Sequence, residues 1–508
     1  MRGTDRIIVN TIILYAKGVV SILVSLVSVP LILRSLGQED YGLYMMLAGV
    51  VALLAFLNAS MTVSTQRYLS VSFGEKSEDR VNSIFTVSIV LHIAISLVIL
   101  ALLELCCPIL FGGFLNIPEG RETACAVVYQ MLALSMVMTI ITVPFTALLN
   151  AKENMLVFSL ISISENILRL ILAVGLLYYG ADKLVVYGIG MAVITFVSSL
   201  TTMLYCHYRY TDCRFSVRRY YKQPLMREMV GFTSWNTLGA VSVLCRNQGG
   251  AIIVNWFFYA IGNAAYGIAN QINGAVNYFS ANLQRAINPQ IMQSEGSHDR
   301  KKLERLTIAT SKYSTMMIGF IVVPLIVEMP FILSVWLGEI PDGTIWLSRL
   351  TLTLCLISQF SMGLMAYVQA IGKIRDYFLS VSALLLISLP LGYAVYRLGF
   401  GIESLVMVFI AVELLCFAVR MYFARESGGL PLLQYLLNGV LRAMLPIVLA
   451  GIAALGMKCF LEAGWLRTAL VLIIYWTVFG VLAWQWGIDE TERQYAREKL
   501  DRIIKKSK

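Results

Sequence analysis

Charge is the first thing this sequence has little of. Only 14% of its 508 residues are Asp, Glu, Lys or Arg, while 58% are hydrophobic and the mean hydropathy is +0.74. A soluble domain carries about a quarter charged residues, so a water-soluble fold is excluded and the bilayer is the expected solvent. Catalytic patterns are missing too: there is no phosphate-cradling glycine loop, no HExxH, no paired Cys/His spacing and no long outer loop to house a glycosyl-transfer site. The nine cysteines contain no CxxC, and the adjacent Cys106 and Cys107 cannot form a useful bridge. Cys206, Cys245, Cys355 and Cys416 lie in apolar stretches and read as small core residues, so neither a disulfide framework nor a metal site is expected, and no cofactor.

What is present is a succession of long apolar runs. A helix crossing the hydrocarbon needs roughly 20 mostly apolar residues, and fourteen such stretches can be marked: 10–33, 41–64, 84–107, 123–149, 155–178, 184–206, 230–257, 261–288, 313–337, 344–371, 377–397, 401–423, 438–460 and 466–486. Arg2 and Arg6 precede a run to Leu33 that is too long for a signal-peptide core, which makes it the first membrane helix. The net charge of +10 does not point to nucleic acid, because the cations lie in short loops between spans. Thirty Lys and Arg fall on the side of the N-terminus and seven on the other, an asymmetry that places both termini in the cytoplasm. Residues 489–508 read as a basic amphipathic surface helix, with Tyr495, Leu500, Ile503 and Ile504 among seven cations.

The chain also repeats itself. Gly37-x-x-x-Tyr41-Gly42 in the first turn matches Gly262-x-x-x-Tyr266-Gly267 in the seventh, and Gln66 matches Gln290 at nearly the same offset. Asn150-Ala151-Lys152 loosely matches Gln369-Ala370 with Lys373 beyond. An offset of six helices preserves polarity, so the expectation is two parallel six-helix lobes. The expected division is an N-lobe (1–206), a basic linker (207–229), a C-lobe (230–423), two appended helices (424–486) and a tail (487–508).

Three cations, Lys17, Arg169 and Arg246, fall well inside spans, away from the span ends whose cations are counted with the loops. Each costs about 2.5 to 3.5 kcal/mol at mid-membrane, so each should face a wet cavity or a partner. Arg169 has Glu165 one turn away, with Ser162 on the same face, and is either an anion ligand or half of a neutral pair. Arg246 has no acid within four positions and is the strongest anion-binding candidate. Lys17 either binds an anion or snorkels to the surface. Asn263, Asn270, Asn273, Asn277, Gln284 and Asn288 share one face of the eighth helix, either lining a polar path or bonding helices together. Glu165, Glu328 and Glu413 are candidate sites for a coupling ion, Glu328 and Glu413 standing as isolated acids that are otherwise protonated structural residues. Pro30, Pro144 and Pro324 predict kinks, and His92 reads as a packed, hydrogen-bonded histidine.

Pro30-Leu-Ile-Leu-Arg-Ser-Leu-Gly37, Tyr41-Gly-Leu-Tyr44, Ala265-Tyr-Gly-Ile-Ala-Asn-Gln271, Asn288-Pro-Gln-Ile291 and Trp336-Leu-Gly338 resemble the Wzx-type polysaccharide-transport flippases. These form a branch of the multidrug/oligosaccharidyl-lipid/polysaccharide exporter superfamily. The resemblance implies an all-α membrane protein of about fourteen helices, two lobes around a central cavity plus two C-terminal helices, alternating between inward and outward openings. It implies a bacterial inner-membrane location and a cargo of sugar linked to polyprenyl (undecaprenyl) pyrophosphate, the repeat unit of O-antigen of lipopolysaccharide, capsule or exopolysaccharide. The expected partners are this lipid-linked oligosaccharide, a proton or sodium ion and other polysaccharide-assembly membrane proteins. Cations in the cavity are expected to hold the pyrophosphate, although the choice of Arg246, Arg169 and Lys17 rests on burial rather than on a family motif. A drug or cation antiporter of the same superfamily is the main rival; it typically has twelve helices and an acid in the first, whereas this first span has Lys17 and no Asp or Glu. A membrane polymerase or ligase, or a non-transporting assembly scaffold, are the others.

Overall fold

The computed structural model describes residues 3–52, 55–114, 117–180, 182–210, 214–458, 460–490 and 492–494. The described regular structure is entirely helical: α1 (Gly3–Ala52), α2 (Ala55–Glu75), α3 (Glu78–Ile109), α4 (Glu122–Ala151), α5 (Met155–Tyr178), α6 (Lys183–Arg209), α7 (Val217–Tyr220), α8 (Gln223–Gly296), α9 (Arg300–Leu337), α10 (Thr344–Ser358), α11 (Met362–Ile371), α12 (Arg375–Arg397), α13 (Ser404–Gly428), α14 (Leu432–Gln434), α15 (Arg442–Lys458) and α16 (Trp465–Leu482). Among the described residues eleven helices are long and apolar enough to cross a membrane. The two longest helices each contain a non-helical residue, Gly37 in α1 (φ 81°) and Tyr259 in α8 (φ 54°). Both breaks fall in gaps between expected spans. Only Gly37 is of a residue type that adopts positive φ without strain. Most of the amphipathic segment expected over 489–508 lies outside the described residues.

Two compact units divide the chain. One comprises Met1–Ala240 and Arg285–Asp299, the other Val241–Gln284 and Arg300–Lys508. In the first, α1 lies along α5. Its inward face reads Asn10, Leu14, Lys17, Ser21 at helical spacing. Leu14 is wholly buried, and Ser21 accepts from Asn166 Nδ2 of α5 at 2.9 Å. Ile12, Val19, Ile22, Leu23 and Leu26 of the same helix are exposed, an apolar surface that suits lipid rather than water. The core of this unit is built from α1 to α6 around Leu47, Met61, Cys125, Val128, Tyr129, Ile140 and Leu184. Arg121 ties three elements together. It donates to Asp40 Oδ1 at 3.0 Å and to Asp182 Oδ2 at 2.8 Å, while Asp182 also caps α6 by accepting from the Leu184 amide at 3.1 Å.

The last turns of α8 belong to this first unit and come against α2 through two glycines. A Cβ on Gly296 would collide with the Val71 carbonyl oxygen, and one on Gly74 with that of Gln293. Such contact allows backbones to approach closely, as small residues do between membrane helices. Gln293 Nε2 donates to the Ala151 carbonyl at 2.9 Å and Gln290 Nε2 to Glu153 Oε2 at 3.0 Å. In the second unit α9 packs on α10, α11, α15 and α16, with Ile318, Val322, Leu333, Leu352, Ala450, Val471 and Tyr475 buried between them. A smaller cluster around Val254, Tyr266, Leu347, Leu405 and Phe409 joins α8, α10 and α13. Gly296→Leu is expected to cost about 1 to 3 kcal/mol, the scale of an overpacked core site, measured as a fall in the melting temperature of the detergent-purified protein; an unchanged value would contradict the close crossing.

Candidate functional site

The structure places the three in-span cations in different surroundings. Lys17 of α1 is half-buried, with its ammonium 4.6 Å from the centroid of the Phe158 ring of α5. The guanidinium of Arg285, from α8, sits 5.0 Å from the same ring. Phe158 packs against buried Leu14, Met155 and Ala286, so α1, α5 and α8 fix the spacing of the two cations. Cation–π attraction offsets part of their desolvation, about 0.5 to 2 kcal/mol for each, but it adds no negative charge. Among the described residues Lys17 makes no ion pair, although Glu165 is near enough to interact with it electrostatically. Arg285, near the end of the eighth expected span, is one of the thirty cations counted on the N-terminal side and was not singled out as a ligand; packing shows it facing α5.

Arg169 is bonded to Glu165 at 2.5 Å, the internal pair that their spacing allows. Both are part-exposed.

Arg246 is corrected in its premise. It has a carboxylate partner, Glu413 of α13, with Nη1 3.3 Å from Oε2. Glu413 is therefore not an isolated acid; its other oxygen accepts from Arg420 Nη1 at 2.5 Å, and the same nitrogen donates to Ser361 Oγ at 3.0 Å. Glu328 is not isolated either. Wholly buried on α9, it accepts from Arg467 Nη2 at 2.8 Å and from Thr468 Oγ1 at 3.3 Å, both on α16. The partners are 167 and 139 residues away in sequence, beyond any local reading of charge spacing.

Every amide of the α8 row, Asn263 to Asn288, is half-buried. Asn277 Nδ2 donates to Asn273 Oδ1 at 2.8 Å, Cys355 Sγ lies 3.5 Å from Asn277 Oδ1, and Gln284 Nε2 donates to Met362 Sδ at 3.1 Å. Asn270 bonds Tyr266. Asn288 alone of the row has a buried oxygen with no hydrogen-bond partner. Two of the amides, Asn277 and Gln284, thus join α8 to other helices. A second polar knot centres on Gln359, whose Oε1 accepts from Ser280 at 2.5 Å and Ser314 at 2.6 Å. His92 is buried, with Nδ1 2.6 Å from the Ser88 carbonyl, and Cys206, Cys355 and Cys416 are buried while Cys245, expected in the core, is exposed.

The family described as "Polysaccharide biosynthesis protein" matches residues 7–294. The chain belongs to that family. It is the family of the Wzx-type flippases, which confirms the resemblance carried by the sequence motifs. No curated protein sequence matches the chain. Among solved structures, a MATE transporter in complex with MaL6 is similar at TM-score 0.72 and 15% identity, covering 84% of this chain and 96% of that one. An outward-facing multidrug-resistance MATE transporter of the MOP superfamily is similar at TM-score 0.71 and 14% identity, over 84% and 96%. A MOP superfamily transporter from Pyrococcus furiosus, described as having a binding pocket of reverse polarity, is similar at TM-score 0.72 and 15% identity, over 84% and 95%. The family member is thus a multi-pass membrane protein with the MATE transporter fold. Removing one partner of a fully buried ion pair strands the other at about 3 to 5 kcal/mol. Arg467→Met is expected to destabilise the purified protein by that amount, and the double change Glu328→Gln with Arg467→Met to recover most of it, as read by thermal unfolding.

Proposed function

We propose that this family member is a flippase that moves polyprenyl-pyrophosphate-linked oligosaccharide from the cytoplasmic to the periplasmic leaflet of the bacterial inner membrane by alternating access. The observation that carries the reading is the convergence of Lys17 and Arg285 on Phe158. Two cations held by α1, α5 and α8 beside an aromatic ring suit a diphosphate, whose oxygens accept charge-assisted hydrogen bonds from both. Lys17 retains its place inside a span with no ion pair among the described residues, although an uncompensated charge there is costly. An anionic ligand is the simplest source of compensation. Arg169 enters as half of a neutral pair with Glu165, and Arg246 as a further cation in the second unit.

A fourteen-span topology with cytoplasmic termini is part of this reading, supported by the loop-by-loop excess of Lys and Arg. The antiporter alternative is disfavoured by the same charges. The first span has Lys17 and no carboxylate, and Glu328 and Glu413 are each already engaged by guanidiniums, which leaves them unsuited to holding a cationic drug. The Pyrococcus furiosus relative, with its pocket of reverse polarity, is consistent with this fold carrying ligands of more than one charge. In cells that depend on the protein for surface polysaccharide, Lys17→Gln with Arg285→Gln is expected to abolish export while the protein still inserts and lipid-linked precursor accumulates. Normal export by a normally inserted double variant would refute the anion site.

A further inference from the structure

In the second unit the Glu413 carboxylate lies between two guanidiniums held with unequal strength. Arg420, two turns further along the same helix, binds Oε1 at 2.5 Å and is itself secured by Ser361 at 3.0 Å and by Tyr377. Arg246, from α8, meets Oε2 at the longer distance of 3.3 Å. It is the most exposed of the three side chains, 13% against 7% for Arg420 and 6% for Glu413, and it rests over the Phe409 ring at 5.5 Å. Its Nε is buried with no hydrogen-bond partner. A guanidinium presents five donors in one planar fork, so Arg246 has donors to spare beyond its single long bond. With the carboxylate ionised, two arginines and one glutamate leave the cluster a formal charge of +1.

We propose that Glu413 is an exchangeable counterion for Arg246. A phosphate oxygen of an incoming anion takes over the Arg246 fork while Glu413 stays on Arg420, and the return of Glu413 to Arg246 expels the anion. This rests on the reading of the chain as a carrier of a pyrophosphate-bearing lipid and adds how the charge could be released again. A buried arginine with no counterion would be costly when empty and slow to let go when filled. A built-in carboxylate neutralises it in the empty state and competes with the ligand in the filled one. The exchange breaks and forms hydrogen bonds only, and no proton is transferred.

The test measures binding of inorganic pyrophosphate to the full-length protein in lipid nanodiscs by calorimetry, with geranylgeranyl pyrophosphate as a lipid-borne probe. E413Q is expected to bind pyrophosphate about tenfold tighter or more, the scale of one lost competing charge-assisted bond, with slower release. R246Q/E413Q is expected to lose that gain. If E413Q does not fold, E413D takes its place: it keeps the charge on Arg420 but withdraws from Arg246, and should tighten binding in the same sense. Unchanged or weaker binding in the folded variant, or a gain that survives R246Q, overturns the exchange. K17Q/R285Q separates the two ideas. If that pair abolishes binding while E413Q has no effect, the flippase site stands and the exchange falls; if binding survives K17Q/R285Q and still responds to E413Q through Arg246, the reverse holds.

Discussion

A charge inside hydrocarbon must be answered by another group of the protein, and that requirement determines much of what holds these helices in place. Glu328 joins α9 to α16 through Arg467, and Glu413 joins α13 to α8 and to the turn before α11 through Arg246, Arg420 and Ser361. Apolar contacts alone cannot select a partner in lipid, because a leucine facing a helix and a leucine facing an acyl chain are nearly equivalent. Buried ion pairs are directional, and a mismatched pairing leaves a stranded charge. They fix which helices are neighbours more than they add to net stability, which for such pairs is often close to zero.

Lys17 stands apart, since it makes no ion pair among the described residues, and it shares the Phe158 ring with Arg285. They are drawn together by the packing of α1, α5 and α8, with Leu14, Met155 and Ala286 wholly buried beneath the ring that both cations touch. The scaffold therefore fixes where the two cations sit, as binding sites commonly require. The same fold is shared with multidrug transporters at about 15% identity, so the fold leaves the ligand open. On the reading proposed here, the polarity of a few interior side chains decides it.

The helical architecture was legible because lipid demands long apolar runs, and because breaks in those runs occur where the backbone turns, at Gly37 and near Tyr259. The Glu165–Arg169 pair was legible because residues four apart share a helix face. The partners of Arg246, Glu413 and Glu328 were not, since helices far apart in sequence meet only after folding. Arg285 was passed over as a candidate ligand for a different reason. Helical periodicity carries no mark of where the hydrocarbon ends, and a cation near a basic loop reads as solvated until packing shows it facing α5. Cys245 illustrates the same limit in reverse: an apolar neighbourhood does not say whether a side chain turns toward protein or away from it.

The division of α8 between the two units has a practical side. Residues 285–296 continue a helix from the second unit yet, with 297–299, complete the first, packing beside Val71 and Gly74 and meeting Glu153. Neither half of the gene encodes a finished body. A fragment ending near residue 240 would leave a strip of backbone carbonyls uncovered and Glu153 without its bond from Gln290, and a fragment starting there would carry a surplus helical arm. Any scheme that cuts the chain for separate expression, or grafts one half onto a relative, has to transplant that arm along with its socket.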